Sequence, residues 1–371
     1  KGYFVANNCN NSSSDRKDIV IVNNATAKEV YTTVRNVLLG IDKTTYISSV
    51  DTSAAFNVCD LFAAKKGMSA VKPNEYLVWS DEFNGNSLNT SVWTQSSTSM
   101  STGTTLEYAN NATFDGNNVE LNCYDTGKTD ANGNKIYSIN HGLHTANTMS
   151  YKYGRLEMRA KIPVGAGAFP ALWLSSRDAI GYDKYCEYSN EVDVFEVFGK
   201  TKNESTAVTN IHKWYNDENG NKLLGSNDKP IECSLGTGVL SGNLSKIDES
   251  KRSTEISYEW CTVIFDWTED SMTFTIDRDV NDSVVDYRFT VNRSDLDNFD
   301  VSGLDTNSDA VFNQFMYPII TNHMYTTGAG AAFTYNGNAS EIDNNLSNLT
   351  FEIDYIRLYQ KNDGMSAINL K

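Results

Sequence analysis

The stretch Glu191-Val192-Asp193-Val194-Phe195-Glu196 places three carboxylates in a run that is otherwise β-branched and aromatic. Such a run favours a β-strand, and successive side chains of a strand point to opposite faces. Glu191 and Asp193 therefore share a face, whereas a regular strand would turn Glu196 to the other one. One extra residue bulged between Asp193 and Glu196 restores the alternation, so we expect a bulge that puts all three acids on one face.

These clustered acids suit one kind of chemistry in particular. Neighbouring carboxylates repel each other, and the repulsion pushes their pKa values apart. Cleavage of a glycosidic bond needs one carboxyl group that stays protonated beside another that is ionised. A cation site and a solvated acidic strand face are the alternative interpretations of the six residues taken alone.

The composition narrows the classes of partner. The chain has 371 residues and a formal net charge of -16. This charge argues against nucleic acid and anionic membranes as partners, and it disfavours a sulfated substrate unless a local basic patch exists. The sequence contains no run of 18 apolar residues, so it predicts no transmembrane helix. The 6 cysteines lack the spacing of a structural zinc site. The 20 Tyr and 6 Trp fit a surface that stacks on sugar rings.

Two parts of the chain differ in their pattern. Residues 1–70 predict a small helical module and linker, with a polar loop over residues 1–18 and helical spacing over residues 26–40 and 57–66. Residues 71–371 are rich in strands that alternate with period two between turn signals. The whole pattern predicts an all-β sandwich of two antiparallel sheets with a small α-helical N-terminal module.

One segment of the N-terminal part resembles the second calcium loop of a dockerin, a module that docks enzymes onto scaffold proteins. Four oxygen-bearing residues fall at ligand positions of such a loop: Asp51, Ser53, Asn57 and Asp60. Ser49 and Ala54 depart from the pattern at the first ligand and at the turn glycine. The resemblance implies a scaffold partner, and two small helices without a calcium role are the alternative.

The strand-rich part resembles glycoside hydrolase family 16 and, within it, the laminarinases. The resemblance is carried by eight segments: residues 79–85, 153–163, 169–174, 191–196, 211–212, 259–260, 265–267 and 354–359. It implies a β-jelly roll whose concave face forms a sugar-binding cleft. It also implies that Glu191 is the nucleophile, Glu196 the general acid/base, and Asp193 a neighbour that tunes the nucleophile. Hydrolysis would then be retaining, with the two reacting carboxyl groups about 5–5.5 Å apart.

The same resemblance implies residues that bind the substrate. Trp173 would stack on a sugar face, Arg159 would bond sugar hydroxyls, and His212 would lie near the acid/base. Glu107 would belong to a loop on the substrate side, and Trp214 would be a platform. Four of them have a structural alternative: Trp173 in the core, an ion pair on a strand face for Arg159, a structural role for His212, and packing at the cleft rim for Trp214.

A calcium ion that supports stability is also implied, on the convex side of the sandwich. Its ligands would be Glu82, the carbonyl oxygen of Gly116, and Asp354. An ion-pair or surface role for the two acids is the alternative. Catalysis itself needs no cofactor.

Taken together, the sequence predicts a secreted, monomeric endo-acting glycosidase that cleaves β-1,3 or mixed β-1,3/1,4 glucan with retention. The partner is a polysaccharide substrate, with no nucleic acid and no membrane. The alternatives are the same mechanism on a β-galactan or host glycan, and a β-sandwich that binds carbohydrate without cleaving it.

Overall fold

The computed structural model describes residues 2–5, 19–22, 75–95, 105–108, 112–180, 182, 186–226, 228–236, 247–280, 284–296, 309–328, 331–361 and 364–371. None of the helices in these ranges is both long and apolar enough to cross a membrane.

Strands dominate the described residues. In chain order they are β1 (Gly2–Val5), β2 (Ile19–Val22), β3 (Glu75–Asp81), β4 (Thr94–Gln95), β5 (Leu106–Tyr108), β6 (Ala112–Phe114), β7 (Val119–Leu121), β8 (Tyr124–Thr129), β9 (Lys135–His144), β10 (Met149–Lys152) and β11 (Gly154–Lys161). They continue with β12 (Ala168–Ser175), β13 (Tyr188–Val197), β14 (Thr206–Tyr215), β15 (Glu232–Ser234), β16 (Ser253–Glu255), β17 (Trp260–Trp267), β18 (Ser271–Asp277), β19 (Tyr287–Asn292), β20 (Tyr317–Met324), β21 (Phe351–Lys361) and β22 (Ala367–Leu370).

Helices are short in the described part. Helix α1 spans Asp309–Asn313 and helix α2 spans Ala339–Asn345. Single 3-10 turns occupy Glu249–Lys251, Arg293–Leu296 and Leu346–Asn348.

Two large sheets contain most of these strands. One is 8-stranded, in the order β19-β18-β17-β11-β21-β7-β6 with β3 beside β21. The other is 10-stranded, in the order β15-β14-β13-β12-β20-β9-β4 with β16, β5 and β8 attached. Pairing is antiparallel apart from the short parallel pair β5–β9. The predicted all-β sandwich of two antiparallel sheets, with a jelly-roll architecture, is confirmed.

The core lies between the two sheets because each strand alternates as the sequence indicates. On β11, Leu156 and Met158 face the core, whereas Arg155 and Arg159 lie on the opposite face. On β13, the core side chains include Phe195. The outer face of the 10-stranded sheet is therefore the face that carries the three acids.

The N-terminal part differs from one expectation. The loop predicted for residues 1–18 is wrong at Gly2–Val5, which forms strand β1 and pairs antiparallel with Ile19–Val22. Both segments are runs of β-branched or aromatic residues, which favour strand pairing over loop. The predicted helices and the dockerin-like segment lie outside the described residues. The division at residue 70 stays a prediction.

Candidate active site

Strand β13 contains the predicted bulge. On its β14 side, Asp193 pairs with Asn210 and Glu196 pairs with Val208, so three steps on one strand match two on the other. On its β12 side, Val194 is the residue that the register skips. The extra residue keeps Glu196 on the same face as Asp193, as the alternation argument requires.

The bulged strand forms the floor of a cavity of about 810 Å³ on the outer face of the 10-stranded sheet. Its lining combines the three acids with aromatic and polar groups: His144, Ala146, Asn147, Phe169, Ala171, Trp173, Ser175, Arg177, Asp178, Ser189, Glu191, Asp193, Glu196, Trp214, Lys222, Tyr317, Ile319, Thr321 and His323. A polar floor with aromatic walls suits a sugar, which has hydroxyl edges and apolar ring faces.

The two glutamates differ in how strongly they hold a proton. Burial, followed by the negative charge of Asp193, raises the pKa of Glu191 to about 7. The same two causes raise the pKa of Glu196 well above its usual range. His212 and Lys222 favour the ionised form of Glu191. Both glutamates therefore bind a proton more tightly than a free carboxyl group does, and the roles implied for them stay a prediction.

His212 holds the charge of the central acid. Its Nε2 lies 3.1 Å from Asp193 Oδ2, and its Nδ1 lies 3.2 Å from Glu232 Oε2 on β15. Burial opposes a charge on this ring, but the hydrogen bonds to Asp193 and Glu232 raise the pKa of His212 well above its usual range. The ring therefore lies between two carboxylates, and Asn210 Nδ2 is also 3.0 Å from its Nε2.

Trp214 contacts the predicted nucleophile directly. Its Nε1–H donates a hydrogen bond of 3.1 Å to Glu191 Oε2. One ring face stacks on His212 with a centroid distance of 5.5 Å, and Lys222 Nζ lies 3.7 Å from the ring centroid. Trp214 also lines the cavity, and the platform role stays a prediction.

The acids and His212 also form the group in the described chain that comes nearest to a metal site. Potential ligand atoms of Glu191, Asp193 and His212 lie within 4.8 Å of one another. Both ring nitrogens of His212 already have carboxylate neighbours, Asp193 at 3.1 Å from Nε2 and Glu232 at 3.2 Å from Nδ1. We therefore interpret this group as a charge network.

Trp173 lies in the cavity and is only partly buried. On β12 it pairs with Asp193 of β13, and it packs on Tyr317 and Ile319 at the edge of the cleft. Its neighbours in sequence, Leu172 and Leu174, face the core instead. The alternative in which Trp173 is a core residue is thereby excluded by the alternation of β12.

Two predicted substrate residues lie elsewhere. Arg159 is on β11 in the other sheet, where its Nη1 lies 2.9 Å from Asp354 Oδ2 and its guanidinium lies over Trp260. The prediction of a cleft role for Arg159 is corrected to the strand-face ion pair. Glu107 on β5 pairs with Lys128 at 2.9 Å and does not line the cavity.

The residues implied for calcium have other partners. Glu82 accepts hydrogen bonds of 2.5 Å from both Nε and Nη2 of Arg357, and Asp354 pairs with Arg159. Gly116, with φ of +85°, lies in the turn between β6 and β7. Calcium needs free anionic oxygens, and guanidinium groups already neutralise both carboxylates. The described residues therefore do not fit the calcium site.

Several residues that line the cavity were not predicted from the sequence. Strand β20 contributes alternate residues to the wall: Tyr317, Ile319, Thr321 and His323. Period-two spacing was a usable signal for them, but nothing local shows which face of β20 meets the cleft. Lys222 comes from the turn after β14, and Arg177 from the segment after β12. No local pattern predicts these two positions, because both depend on contacts between loops.

Comparisons with known proteins identify the family of this chain. Residues 86–292 match the model of the glycosyl hydrolases family 16. The glucan endo-1,3-beta-glucosidase A1 of Niallia circulans is 33% identical over 147 residues, which cover 33% of this chain and 20% of that protein. The chain thus spans about a fifth of the length of this curated relative.

Solved structures show a similar fold. One comes from work on endo-acting O-glycanases of the human gut microbiota that initiate mucin breakdown. It has a TM-score of 0.50 and 19% identity, covering 80% of this chain and 94% of that one. The laminarinase catalytic domain of Thermotoga maritima aligns with a TM-score of 0.47 and 17% identity, covering 78% and 100%. The family match spans more than half of the sequence, and the chain belongs to the glycosyl hydrolases family 16.

Proposed function

We propose that this chain is a retaining, endo-acting glycoside hydrolase that cleaves β-1,3 or mixed β-1,3/1,4 glucan. The observation that carries the proposal is the bulged strand β13, which brings Glu191, Asp193 and Glu196 to one face of a cavity. A protein that only binds sugar gains nothing from three mutually repelling acids, of which Asp193 is buried and the two glutamates are partly buried.

The first half-reaction uses the two glutamates together. Glu196 gives its proton to the glycosidic oxygen as the bond from that oxygen to the anomeric carbon breaks. A carboxylate oxygen of Glu191 attacks the same carbon from the opposite face and forms a glycosyl ester. The released chain leaves with the proton, and Glu196 becomes a carboxylate.

The second half-reaction restores the enzyme. Glu196 takes a proton from water, the water oxygen bonds to the anomeric carbon, and the ester bond to Glu191 breaks. Two inversions at the same carbon give net retention. Asp193 does not transfer a proton in either step; its charge raises the pKa values of both glutamates and is paired with His212.

The substrate assignment rests on two further observations. Trp173 presents a partly exposed ring in the cavity, which suits the apolar face of a pyranose ring. The sequence match to a named glucan endo-1,3-beta-glucosidase favours glucan as the polymer. A polymeric glucan lies outside the cell, so the proposal also includes secretion.

The test is release of reducing ends from laminarin, lichenan, agarose and mucin-type glycans by the parent and by Glu191→Gln. We expect release from laminarin or lichenan by the parent only. Release from agarose or mucin-type glycans alone would keep the mechanism and overturn the glucan. Binding without release from any glycan would overturn hydrolysis.

A further inference from the structure

The segment from residue 216 to 222 has no role in the two half-reactions, but it places the ammonium group of Lys222 near the proposed nucleophile, Glu191. It follows β14 and folds as a tight turn, in which Asp217 Oδ1 accepts hydrogen bonds of 2.9 Å from the backbone N–H groups of Asn219 and Asn221. Gly220, with φ of +79°, makes the turn sterically allowed. An antiparallel bridge between Asn216 and Lys222 closes it.

A neighbouring segment braces this turn. Arg177, which follows β12, donates from Nη2 to Asn216 Oδ1 at 2.8 Å and to the carbonyl oxygen of Gly220 at 3.0 Å. The backbone N–H of Leu223 donates to the carbonyl oxygen of Tyr215 at 2.8 Å. Both ends of the turn are thus fixed, and so is the position of Lys222.

Lys222 extends over Trp214 towards Glu191. Its Nζ lies 3.7 Å from the centroid of the Trp214 ring, a distance at which cation–π attraction is strong. Within the described chain, no carboxylate lies within 4.0 Å of this ammonium, so a close ion pair does not neutralise it there. Glu191 and Glu232 are the acids whose charges reach it.

The charged and titratable groups around Glu191 come from several elements: Asp193 and Glu196 on β13, His212 on β14, Glu232 on β15, Lys222 in the turn, Arg177 and Asp178 after β12, Tyr317 and His323 on β20, and His144 on β9. Asp193 opposes the ionised form of Glu191, and His212 supports it but already lies between two carboxylates. Arg177 is committed to Asn216 and to the carbonyl oxygen of Gly220, whereas the charge of Lys222 acts on Glu191 itself.

We propose that Lys222 and Trp214 are a pair of positioning residues that keep Glu191 ionised and aimed at the anomeric carbon. Trp214 fixes one carboxylate oxygen through its Nε1–H and leaves the other oxygen for attack. Lys222 polarises the indole from its face and adds positive charge beside the carboxylate. The inference rests on the proposed function, because it gives Glu191 the role of nucleophile.

The test follows the ionisation of Glu191 in the protein without substrate, by carbon NMR of labelled glutamate side chains. Lys222→Met keeps the aliphatic stem and removes the charge, and Trp214→Phe keeps the ring and removes the N–H. We expect both variants to raise the pH at which Glu191 titrates by roughly 0.5–1 unit. Lys222→Arg should restore it. Lys251→Met, at an exposed lysine later in the chain, should leave it unchanged.

The kinetic counterpart is the acidic limb of kcat/KM, which should move by the same amount in Lys222→Met, with KM nearly unchanged. A raised KM with an unmoved titration of Glu191 would make Lys222 a substrate-binding residue and overturn the inference. The titration needs no substrate, so a failed positioning role is distinguishable from a failed glycosidase.

Discussion

A carboxylate oxygen of Glu191 lies within 4.8 Å of a carboxylate oxygen of Asp193, on the same face of strand β13. At this separation in a partly buried site, the charge of Asp193 opposes ionisation of its neighbour. Burial is the larger cause, and together they raise the pKa of Glu191 to about 7. This relationship gives the active site its expected pH dependence.

The pH profile of kcat/KM should be bell-shaped, with an acidic limb near pH 7. Glu191 must lose its proton to attack, so activity falls as pH drops below the pKa of Glu191. Glu196 must keep its proton, and its pKa is raised well above the usual range, so the alkaline limb lies higher. The measurement is hydrolysis of soluble laminarin from pH 4 to 10.

Glu196→Gln provides the matched control for that profile. With an aryl β-laminaribioside, whose leaving group needs no proton, this variant should still show the acidic limb and lose the alkaline one. An acidic limb near pH 4 in the parent would contradict the raised pKa of Glu191.

Glu191→Gln should stabilise the fold at neutral and alkaline pH. The pKa of Glu191 rises from 4.5 to about 7 on folding, so the folded state binds this proton more tightly. The stability from that proton is present below about pH 4.5 and is lost as pH rises through about 7. The gain over the parent should therefore be small at about pH 4.5 and grow with pH to on the order of 1–3 kcal/mol above about pH 7.

Urea unfolding at a series of pH values measures this gain. Glu107→Gln, at an exposed ion pair with Lys128, is the matched control and should show no comparable gain. A Glu191→Gln variant that is less stable than the parent by a constant amount at every pH would contradict the prediction.

Deletion of Val194 should be tolerated far better than deletion of Val192. The register with β12 skips Val194, so its removal leaves Glu191, Asp193 and Glu196 on one face of a regular strand. Removal of Val192 turns Glu191 towards the core. We expect the Val194 deletion to fold and to lose at most about 100-fold in kcat/KM.

The Val194 deletion should lose about 2–4 kcal/mol of stability, because a buried side chain disappears. For both deletions, circular dichroism measures folding, thermal unfolding measures stability, and laminarin hydrolysis measures activity. Equal loss of folding and activity in the two proteins would show that the bulge, and not only the alternation, is required.

Arg357→Met should destabilise the protein strongly. Arg357 is 1% exposed and Glu82 is 9% exposed, so the substitution leaves a buried carboxylate without its partner. The expected loss is about 3–5 kcal/mol. Lys128→Met removes an exposed ion pair and should cost less than about 1 kcal/mol. Unfolding in guanidinium chloride measures both.

The ion pairs of Glu82 and Asp354 also lead to a prediction about calcium. Because arginines neutralise Glu82 and Asp354, EDTA should leave the melting temperature of the parent unchanged. A melting temperature that falls in EDTA and recovers with calcium would show that the implied ion binds after all.

The features that sequence predicted are those that depend on local alternation. The odd spacing between Glu191 and Glu196 required a bulge, and the structure contains it beside Val194. The two-sheet architecture followed from repeated period-two segments. Trp173 was placed in the cleft by its family resemblance, because alternation alone did not show which face of β12 is the core.

The features that sequence missed depend on which strands and loops meet. Arg159 was assigned to a strand correctly, but β11 pairs with β17 and β21 in the sheet opposite the acids. The contacts of Trp214 with Lys222 and His212 were not predicted either. Such contacts join residues far apart in sequence, and no spacing rule reports them.

The most direct test of the account is covalent trapping with a 2-fluoro-β-laminaribiosyl fluoride, followed by mass spectrometry of proteolytic peptides. Fluorine at carbon two slows both half-reactions, and the fluoride leaving group lets the first proceed, so the glycosyl ester accumulates. The account predicts a single label on Glu191, and none in Glu191→Gln. A label on Glu196, or no label with inverted configuration in the product of laminarin hydrolysis, would contradict it.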